Sequence, residues 1–156
     1  AYIGTGVEVG ANCKIQNYAL VYEPAKLANG VFIGPAAVLT NDQFPRAINA
    51  DGSQKSASDW NPVGVEIHEG ASIGANSTCI APVVIGRWAL VGAGSVVVRD
   101  VPDYALVVGS PAKRIGWVGS AGHPLKLNED DEWICPVTDA RYREVEPNKL
   151  VEIEAK

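Results

Sequence analysis

Large aliphatic side chains recur every six residues along most of the chain. They occupy 12 of 13 such positions: Ile3, Val9, Ile15, Val21, Leu27, Ile33 and Leu39 and, after a gap, Ile67, Ile73, Ile85, Val91 and Val97, with Cys79 at the remaining one. Two residues before each of them stands a small or β-branched residue, for example Ala19, Val31 or Ala89. Because side chains two apart on a strand share a face, each hexad predicts a short strand with two inward side chains.

The residues between these strands have the chemistry of turns. Gly and Asn, which tolerate a left-handed backbone, follow three positions after many of the aliphatic residues, as at Gly30, Gly70 and Asn76. Turns repeated in the same sense wind a chain into a coil, whereas a meander needs reversals. A fixed period of six therefore predicts a parallel β-helix with three flat faces, about 18 residues per coil and coils about 4.8 Å apart.

The repeat stops over residues 40 to 64, a polar stretch that contains Trp60 and is long enough to suspect a functional arm. Since residues 18 apart superimpose on adjacent coils, Asn41 should lie above Glu23, with Asp42 beside it. Gln16 and Asn17 should lie about one face away. Together these polar side chains predict a substrate pocket at the root of the arm, although Gln16 and Asn17 fit solvated turn positions equally well.

Composition excludes several classes of partner. The net charge of -5 argues against nucleic acid or an anionic membrane as the main partner. No apolar run approaches the roughly 20 residues of a membrane span, so we expect a cytoplasmic protein.

Cys13, Cys79 and Cys135 lack the spacing of a metal site, and no metal is expected. The sequence has no methionine and begins in mid-pattern, so we expect its original start to be missing.

The hexads "IGTGVEVGANCKI" and "IHEGASIGANSTCIAPVVIGRWALVGAGSVV" resemble the left-handed β-helix of the hexapeptide-repeat acyltransferase superfamily. The resemblance, and not the period, implies the left-handed sense. It implies an all-β fold with a left-handed parallel β-helix over residues 1–115, a projecting loop over 40–64, and a C-terminal tail over 116–156 that includes a hairpin.

Two further stretches, "KIQNYALVYEPAKLANGVFIGPAAVLTNDQFPRA" and "VPDYALVVGSPAKRIGWV", narrow the resemblance. They are similar to N-acyltransferases that acetylate nucleotide-linked amino sugars, notably dTDP-3-amino-3,6-dideoxyhexoses and UDP-3-amino-glucuronates. The similarity runs from about residue 2 to "CPVTDARY", and members of that family usually carry further coils before the point where this sequence starts. The sequence departs from the family at Tyr18, where a second Asn is usual after "QN", and this bears on which sugar is preferred.

The resemblance implies roles for the residues at the root of the arm. Asn41 and Asp42 would hold the sugar amine, with Asp42 accepting a hydrogen bond or the departing proton. Glu23 would contact the hexose. Arg46 has the planar fork that suits a nucleotide pyrophosphate, and a salt bridge that fixes the arm explains it equally well.

The resemblance also implies acetyl-CoA as the donor, lying in a groove between the prisms of a homotrimer. The small residues Gly92, Ala93 and Gly94 allow close approach of this molecule. Lys113 and Arg114 form an adjacent basic pair, which in this superfamily commonly meets the coenzyme phosphates; the alternative is a solvated surface pair.

Histidine content separates the candidate reactions. O-acetyltransferases of the superfamily rely on a histidine base, and this chain has only His68 and His123. His68 is either a surface residue or part of a groove between subunits. A γ-type carbonic anhydrase needs three histidines on one zinc and is therefore excluded. The predicted function is acyl-CoA-dependent N-acetylation of a nucleotide-linked amino sugar for surface polysaccharide; the alternatives are O-acetylation of a sugar or serine hydroxyl and a non-catalytic β-helical scaffold.

Overall fold

A computed structural model describes residues 1–153; residues 154–156, the end of the predicted tail, lie outside the described residues. The strands of the repeat region are β1 (Tyr2–Ile3), β2 (Glu8–Val9), β3 (Lys14–Ile15), β4 (Leu20–Val21), β5 (Lys26–Leu27), β6 (Phe32–Ile33), β7 (Val38–Leu39), β8 (Val65–Ile67), β9 (Ser72–Ile73), β10 (Thr78–Cys79), β11 (Val83–Ile85), β12 (Leu90–Val91), β13 (Val96–Val97) and β14 (Ala105–Gly109). After them come β15 (Ala112–Trp117), β16 (Lys126–Leu127), β17 (Trp133–Ile134), β18 (Arg141–Glu146) and β19 (Lys149–Ile153). A 3₁₀ helix, Ala57–Asp59, lies between β7 and β8.

The strands β1–β14 form three parallel sheets. Each sheet receives every third strand up to β13, and β14 then follows β12 because Val101 contributes only an isolated bridge to the second face. The first face is β1-β4-β7-β10-β13, the second β2-β5-β8-β11, and the third β3-β6-β9-β12-β14. Before the arm, paired residues are 18 apart, as in Ile3 with Val21 and Ile15 with Ile33. The molecule is therefore an all-β, three-sided parallel β-helix, consistent with the left-handed coil that the resemblance implies.

The predicted inward positions form the core. Most of the aliphatic residues that recur every six positions are fully buried in stacked rows, as are Val21, Ile33 and Leu39. Each such side chain contributes about 1.5–3 kcal/mol through burial. Two serines are also buried at inward positions, and the hydroxyl of each has a hydrogen-bond partner. Ser77 donates from Oγ to the Gly92 carbonyl over 3.0 Å, and Ser95 Oγ accepts from the Gly109 N–H over 3.1 Å.

The break in the six-residue period does not break the sheets. Leu39 lies on the first face and Ile67 on the second, so a spacing of 28 positions makes the step that a spacing of six makes elsewhere. Lys26 pairs with Glu66 and Leu27 with Ile67, as an uninterrupted coil requires. The sheets keep their pairing across the interruption, because the arm is inserted at one corner and leaves the coil intact.

The chain after the parallel strands reverses direction. β15 pairs antiparallel with β14, and β16–β19 form a four-stranded antiparallel sheet that extends beyond the single predicted hairpin. Glu132 is buried in this tail sheet, where its carboxylate accepts from Arg141 over 3.1 Å and from Arg143 over 2.8 Å. Over residues 1–153, no helix has the length and apolar character needed to cross a membrane.

Candidate active site

The predicted site residues lie at three different corners of the prism. The arm corner, between the first and second faces, carries Glu23, Asn41 and Asp42. The histidine corner, between the second and third faces, carries His68. The glycine corner, between the third and first faces, carries the remaining predicted residues of the coil: Gln16, Asn17, Gly92, Ala93 and Gly94.

Gln16 and Asn17 do not join the pocket at the arm. The N–H of Gln16 donates to the Ile33 carbonyl over 2.9 Å, and the carbonyl of Asn17 accepts from Ala36 over 2.9 Å. These bonds fix both residues at the glycine corner, and strand β4 separates them from Glu23. Of the five side chains expected at this pocket, three share a corner: Glu23, Asn41 and Asp42.

The two ends of the arm are held together at its root. The Asn41 carbonyl accepts from the Val63 N–H over 3.1 Å, and Thr40 Oγ1 accepts from the Ala81 N–H over 2.9 Å. Asp42 Oδ1 accepts from the Phe44 N–H over 2.9 Å. The Asp42 carboxylate is thus fixed to a backbone turn that rises directly from the β-helix.

The middle of the arm is a small self-bonded unit. Ile48 bridges antiparallel to Gln54, and the 3₁₀ helix follows. Asp59 Oδ2 accepts from both the N–H and the hydroxyl of Ser56, each over 2.8 Å. These bonds, first the Ser56 N–H and then its hydroxyl, hold the pKa of Asp59 below its ordinary value, with a smaller contribution from the charge of Lys55. Asp59 is therefore an anion at neutral pH.

A cavity of about 240 Å³, here called the arm cavity, lies between the arm root and the 3₁₀ helix. Its lining comprises Asp42, Gln43, Phe44, Lys55, Asp59, Trp60, Asn61 and Val63. Asp42 is the predicted residue that it contains. Arg46, which the sequence assigns to a phosphate or a salt bridge, is exposed, and its Nη1 donates to the adjacent Pro45 carbonyl over 2.8 Å.

Glu23 is unusual among the carboxylates of the described residues. Its Oε2 is buried and has no hydrogen-bond partner. The carboxylate packs over Gly4, where a Cβ atom would collide with Oε2. A buried carboxylate oxygen without a donor is costly, which makes Glu23 a candidate to receive a donor from a ligand.

His68 has a carboxylate partner. Its Nε2 lies 3.1 Å from Glu66 Oε1, and the imidazole is partly exposed at the histidine corner. The second face separates His68 from Asp42 within one chain. An imidazole with a carboxylate neighbour can act as a general base.

The glycine corner contains an apolar cavity of about 330 Å³. Gly92 and Ala93 line it together with Phe32 and Leu90, whereas Gly94 occupies a turn at φ +70° with open space where a Cβ would be. The structure thus places two of the three small residues predicted for the donor in one hydrophobic groove.

The two basic residues Lys113 and Arg114 lie in different environments on β15. Lys113 is exposed and pairs with Val108, whose Cγ1 would lie 2.7 Å from a Cβ added at Gly92. Arg114 stacks on the Trp117 ring at 4.2 Å and donates to Asn148 over 3.1 Å. Lys113 is therefore available beside the glycine corner, while the tail holds the Arg114 guanidinium.

Sequence reasoning missed Phe44, Lys55 and Asp59 and did not assign a role to Trp60. Their signal is the presence of aromatic rings in an otherwise polar arm, because Phe44 is 75% exposed and Trp60 37% exposed. Exposed rings that flank a cavity commonly mark a binding surface. In the described part of the chain, no group of three histidine, cysteine or carboxylate residues is placed to hold a metal.

Comparison with known proteins relates the chain to transferases. The family described as "Hexapeptide repeat of succinyl-transferase" matches residues 1–18 and 64–99. The dTDP-3-amino-3,6-dideoxy-α-D-galactopyranose 3-N-acetyltransferase of Aneurinibacillus thermoaerophilus is 51% identical over 69 residues, which are 44% of this chain and 35% of that protein. Serine acetyltransferase 4 of Arabidopsis thaliana is 36% identical over 122 residues, covering 76% of this chain and 33% of that protein.

A solved structure has a similar fold. Soybean serine acetyltransferase complexed with serine superposes with a TM-score of 0.57 at 28% identity, over 69% of this chain and 40% of that chain. The chain thus spans about a third of the length of the two curated relatives that it matches.

Proposed function

The chain belongs to the hexapeptide-repeat acyltransferase family, and from this premise we propose that it is an acyl-CoA-dependent N-acetyltransferase. The acceptor is the amine of a nucleotide-linked amino sugar destined for surface polysaccharide, and the reaction takes place in the cytoplasm. The observation that carries this proposal is the Asp42 carboxylate, which a backbone N–H fixes in the wall of a cavity that a second carboxylate also lines.

An amine suits this environment better than a hydroxyl does. A sugar ammonium group is a cation at neutral pH, and the arm cavity presents the carboxylates of Asp42 and Asp59 against the single cation Lys55. An amine that has lost one proton attacks without a strong base, whereas a hydroxyl needs one. The sequence identity to a dTDP-amino-sugar 3-N-acetyltransferase over 69 residues supports the same acceptor class.

The chemical step follows from these positions. The bound ammonium group first loses one proton to water. The neutral amine nitrogen then attacks the thioester carbonyl carbon, a C–N bond forms, the C–S bond breaks, and the coenzyme A thiolate leaves. Asp42 accepts the proton that the nitrogen loses, and Asn41 orients the acceptor beside it. Glu23 Oε2, which has no hydrogen-bond donor among the described residues of the chain, accepts a hydrogen bond from a hydroxyl of the hexose.

The donor fits the glycine corner. The apolar cavity beside Gly92 and Ala93 would take the pantetheine arm of acetyl-CoA, and the exposed Lys113 would meet its phosphates. This corner and the arm corner lie on opposite edges of the first face. We therefore propose a homotrimer, in which the arm corner of one subunit meets the glycine corner of another.

O-acetylation of a hydroxyl, such as that of serine, is the second candidate. It is favoured by the 3.1 Å contact between His68 and Glu66 and by the similarity to serine acetyltransferases. In that reaction His68 Nε2 would remove the hydroxyl proton.

Thiol release from acetyl-CoA distinguishes the two reactions. With a dTDP- or UDP-linked amino sugar as acceptor, we expect Asp42→Asn to lower kcat by about 10² to 10⁴ and His68→Ala to lower it by less than about tenfold. The reverse ranking, with serine as the better acceptor, would establish O-acetylation. No thiol release with any acceptor would favour a scaffold.

A further inference from the structure

The arm cavity contains more recognition chemistry than the proton transfer at Asp42 requires. Two aromatic rings, two carboxylates and a lysine line a space of about 240 Å³. This is below the roughly 300–1,000 Å³ of pockets that take drug-sized ligands. The cavity therefore suits one sugar ring and not coenzyme A.

Building on the proposed function, we propose that the arm cavity binds the amino-sugar ring of the acceptor, with Trp60 as the stacking surface and Asp59 as a second anionic contact for the ammonium group. Trp60 and Asp59 are then specificity-determining residues, distinct from the proton acceptor Asp42.

The aromatic part of the proposal rests on the exposed rings. Trp60 and Phe44 stay 37% and 75% exposed although both are apolar. The C–H face of a pyranose carries a small positive charge, and the face of an aromatic ring is negative, so the two attract each other. Of the two rings, the indole of Trp60 gives the larger surface for stacking.

The electrostatic part rests on the fixed carboxylates. Asp42 and Asp59 come from the two ends of the arm, and both line the cavity. Each is held by a backbone N–H, of Phe44 and of Ser56 respectively. Fixed anions lose little freedom when they bind a cation, and an ammonium group satisfies several acceptors at once.

The proposal also assigns Lys55 in place of Arg46. Lys55 is the cation that lines the cavity, and its charge contributes to the low pKa of Asp59. A phosphate attached to the sugar would emerge on this side, where Lys55 meets it as a point charge.

Steady-state kinetics with dTDP-3-amino-3,6-dideoxygalactose as the probe tests the proposal. We expect Trp60→Ala to raise KM for the amino sugar by about tenfold without changing KM for acetyl-CoA, and Trp60→Phe to restore most of the affinity. Ile48→Ala is the control, because Ile48 is an exposed apolar residue of the same arm that does not line the cavity.

The charge contact has a matched control within the arm. Asp51 accepts from the N–H and hydroxyl of Ser53 much as Asp59 does from Ser56, and its pKa is also lowered by these bonds, but it does not line the cavity. Asp59→Asn should raise KM for the amino sugar several-fold, and Asp51→Asn should leave it unchanged. Lys55→Gln should raise KM for the nucleotide-linked sugar and not for the free amino sugar.

If Trp60→Ala, Trp60→Phe and the wild type have equal KM values for the amino sugar, the arm cavity is not the acceptor site. If the same enzymes still acetylate the amino sugar, the proposed function stands. Acetylation of serine but of no amino sugar would instead overturn the proposed function and, with it, the assignment of the cavity.

Equilibrium titration of the amino sugar with the wild type and Trp60→Ala gives an independent readout. Binding of equal strength to both proteins would contradict the proposal even if turnover were too slow to measure.

Discussion

At the scale of single residues, Glu23 shows how function conflicts with stability. Its Oε2 is buried without a partner over Gly4, where an added Cβ would collide with it. A buried acceptor without a donor costs about 1–3 kcal/mol relative to a satisfied one. Binding sites often retain such costs because the ligand removes them.

Replacing this carboxylate by an apolar side chain of similar length should stabilise the fold and weaken the site. We expect Glu23→Met to raise the free energy of unfolding by about 1 kcal/mol, measured by urea titration, while KM for the amino sugar rises. Glu129→Met, at an exposed position in the tail, should change neither quantity. A less stable Glu23→Met protein would mean that Oε2 has a donor in solution.

At the scale of the structural element, the corners depend on close approach of successive coils. Gly74 lies in the column of Gly34 and Gly92, and a Cβ there would meet the backbone of Gly92 and Ala93. Gly74 has an ordinary negative φ, so its requirement is space between coils and not a left-handed turn. Backbone cannot move aside as a flexible side chain can.

Gly74→Ala should therefore destabilise the β-helix by about 1–3 kcal/mol through overpacking. Gly116, on β15, has no heavy atom near the position of an added Cβ and also an ordinary φ. The Gly116→Ala protein should unfold within about 0.5 kcal/mol of the wild type. Thermal unfolding followed by circular dichroism compares the two; equal midpoints would show that the coils separate more easily than the stacking indicates.

At the scale of the whole molecule, no single prism brings donor and acceptor residues together. Asp42 and Ala93 lie at opposite edges of the first face. The proposed cyclic trimer would solve this problem, because it would set the arm corner of each subunit against the glycine corner of a neighbour.

Subunit complementation tests this arrangement. Asp42→Asn disables the acceptor side, and Ala93→Leu fills the donor groove with a bulky side chain. Co-expression of the two inactive chains should restore about a quarter of the wild-type sites, since random cyclic trimers pair the intact residues at that frequency. If both residues act within one chain, the mixture stays inactive.

The repeat is readable from sequence because its signal is local. Val21 and Leu39 are inward simply because strands alternate sides and the period is constant, so no distant partner is needed to predict their burial. The column of Glu23 and Asn41 follows from the same arithmetic. Gln16 and Asn17 lie one face away from Glu23, as the period predicts, but residues at opposite edges of a face do not line one pocket within a single prism.

By itself, the sequence determined the three-sided coil, its buried rows, the position of the arm and the family, since all of these follow from a fixed period and from short motifs. Tertiary structure alone decided which residues line the arm cavity. Asp42 and Trp60 are 18 positions apart in a segment without any repeat, and they line one cavity in an arm whose ends are joined by the bond from the Val63 N–H to the Asn41 carbonyl. An aperiodic loop has no register from which to calculate such a contact; its own hydrogen bonds set the geometry.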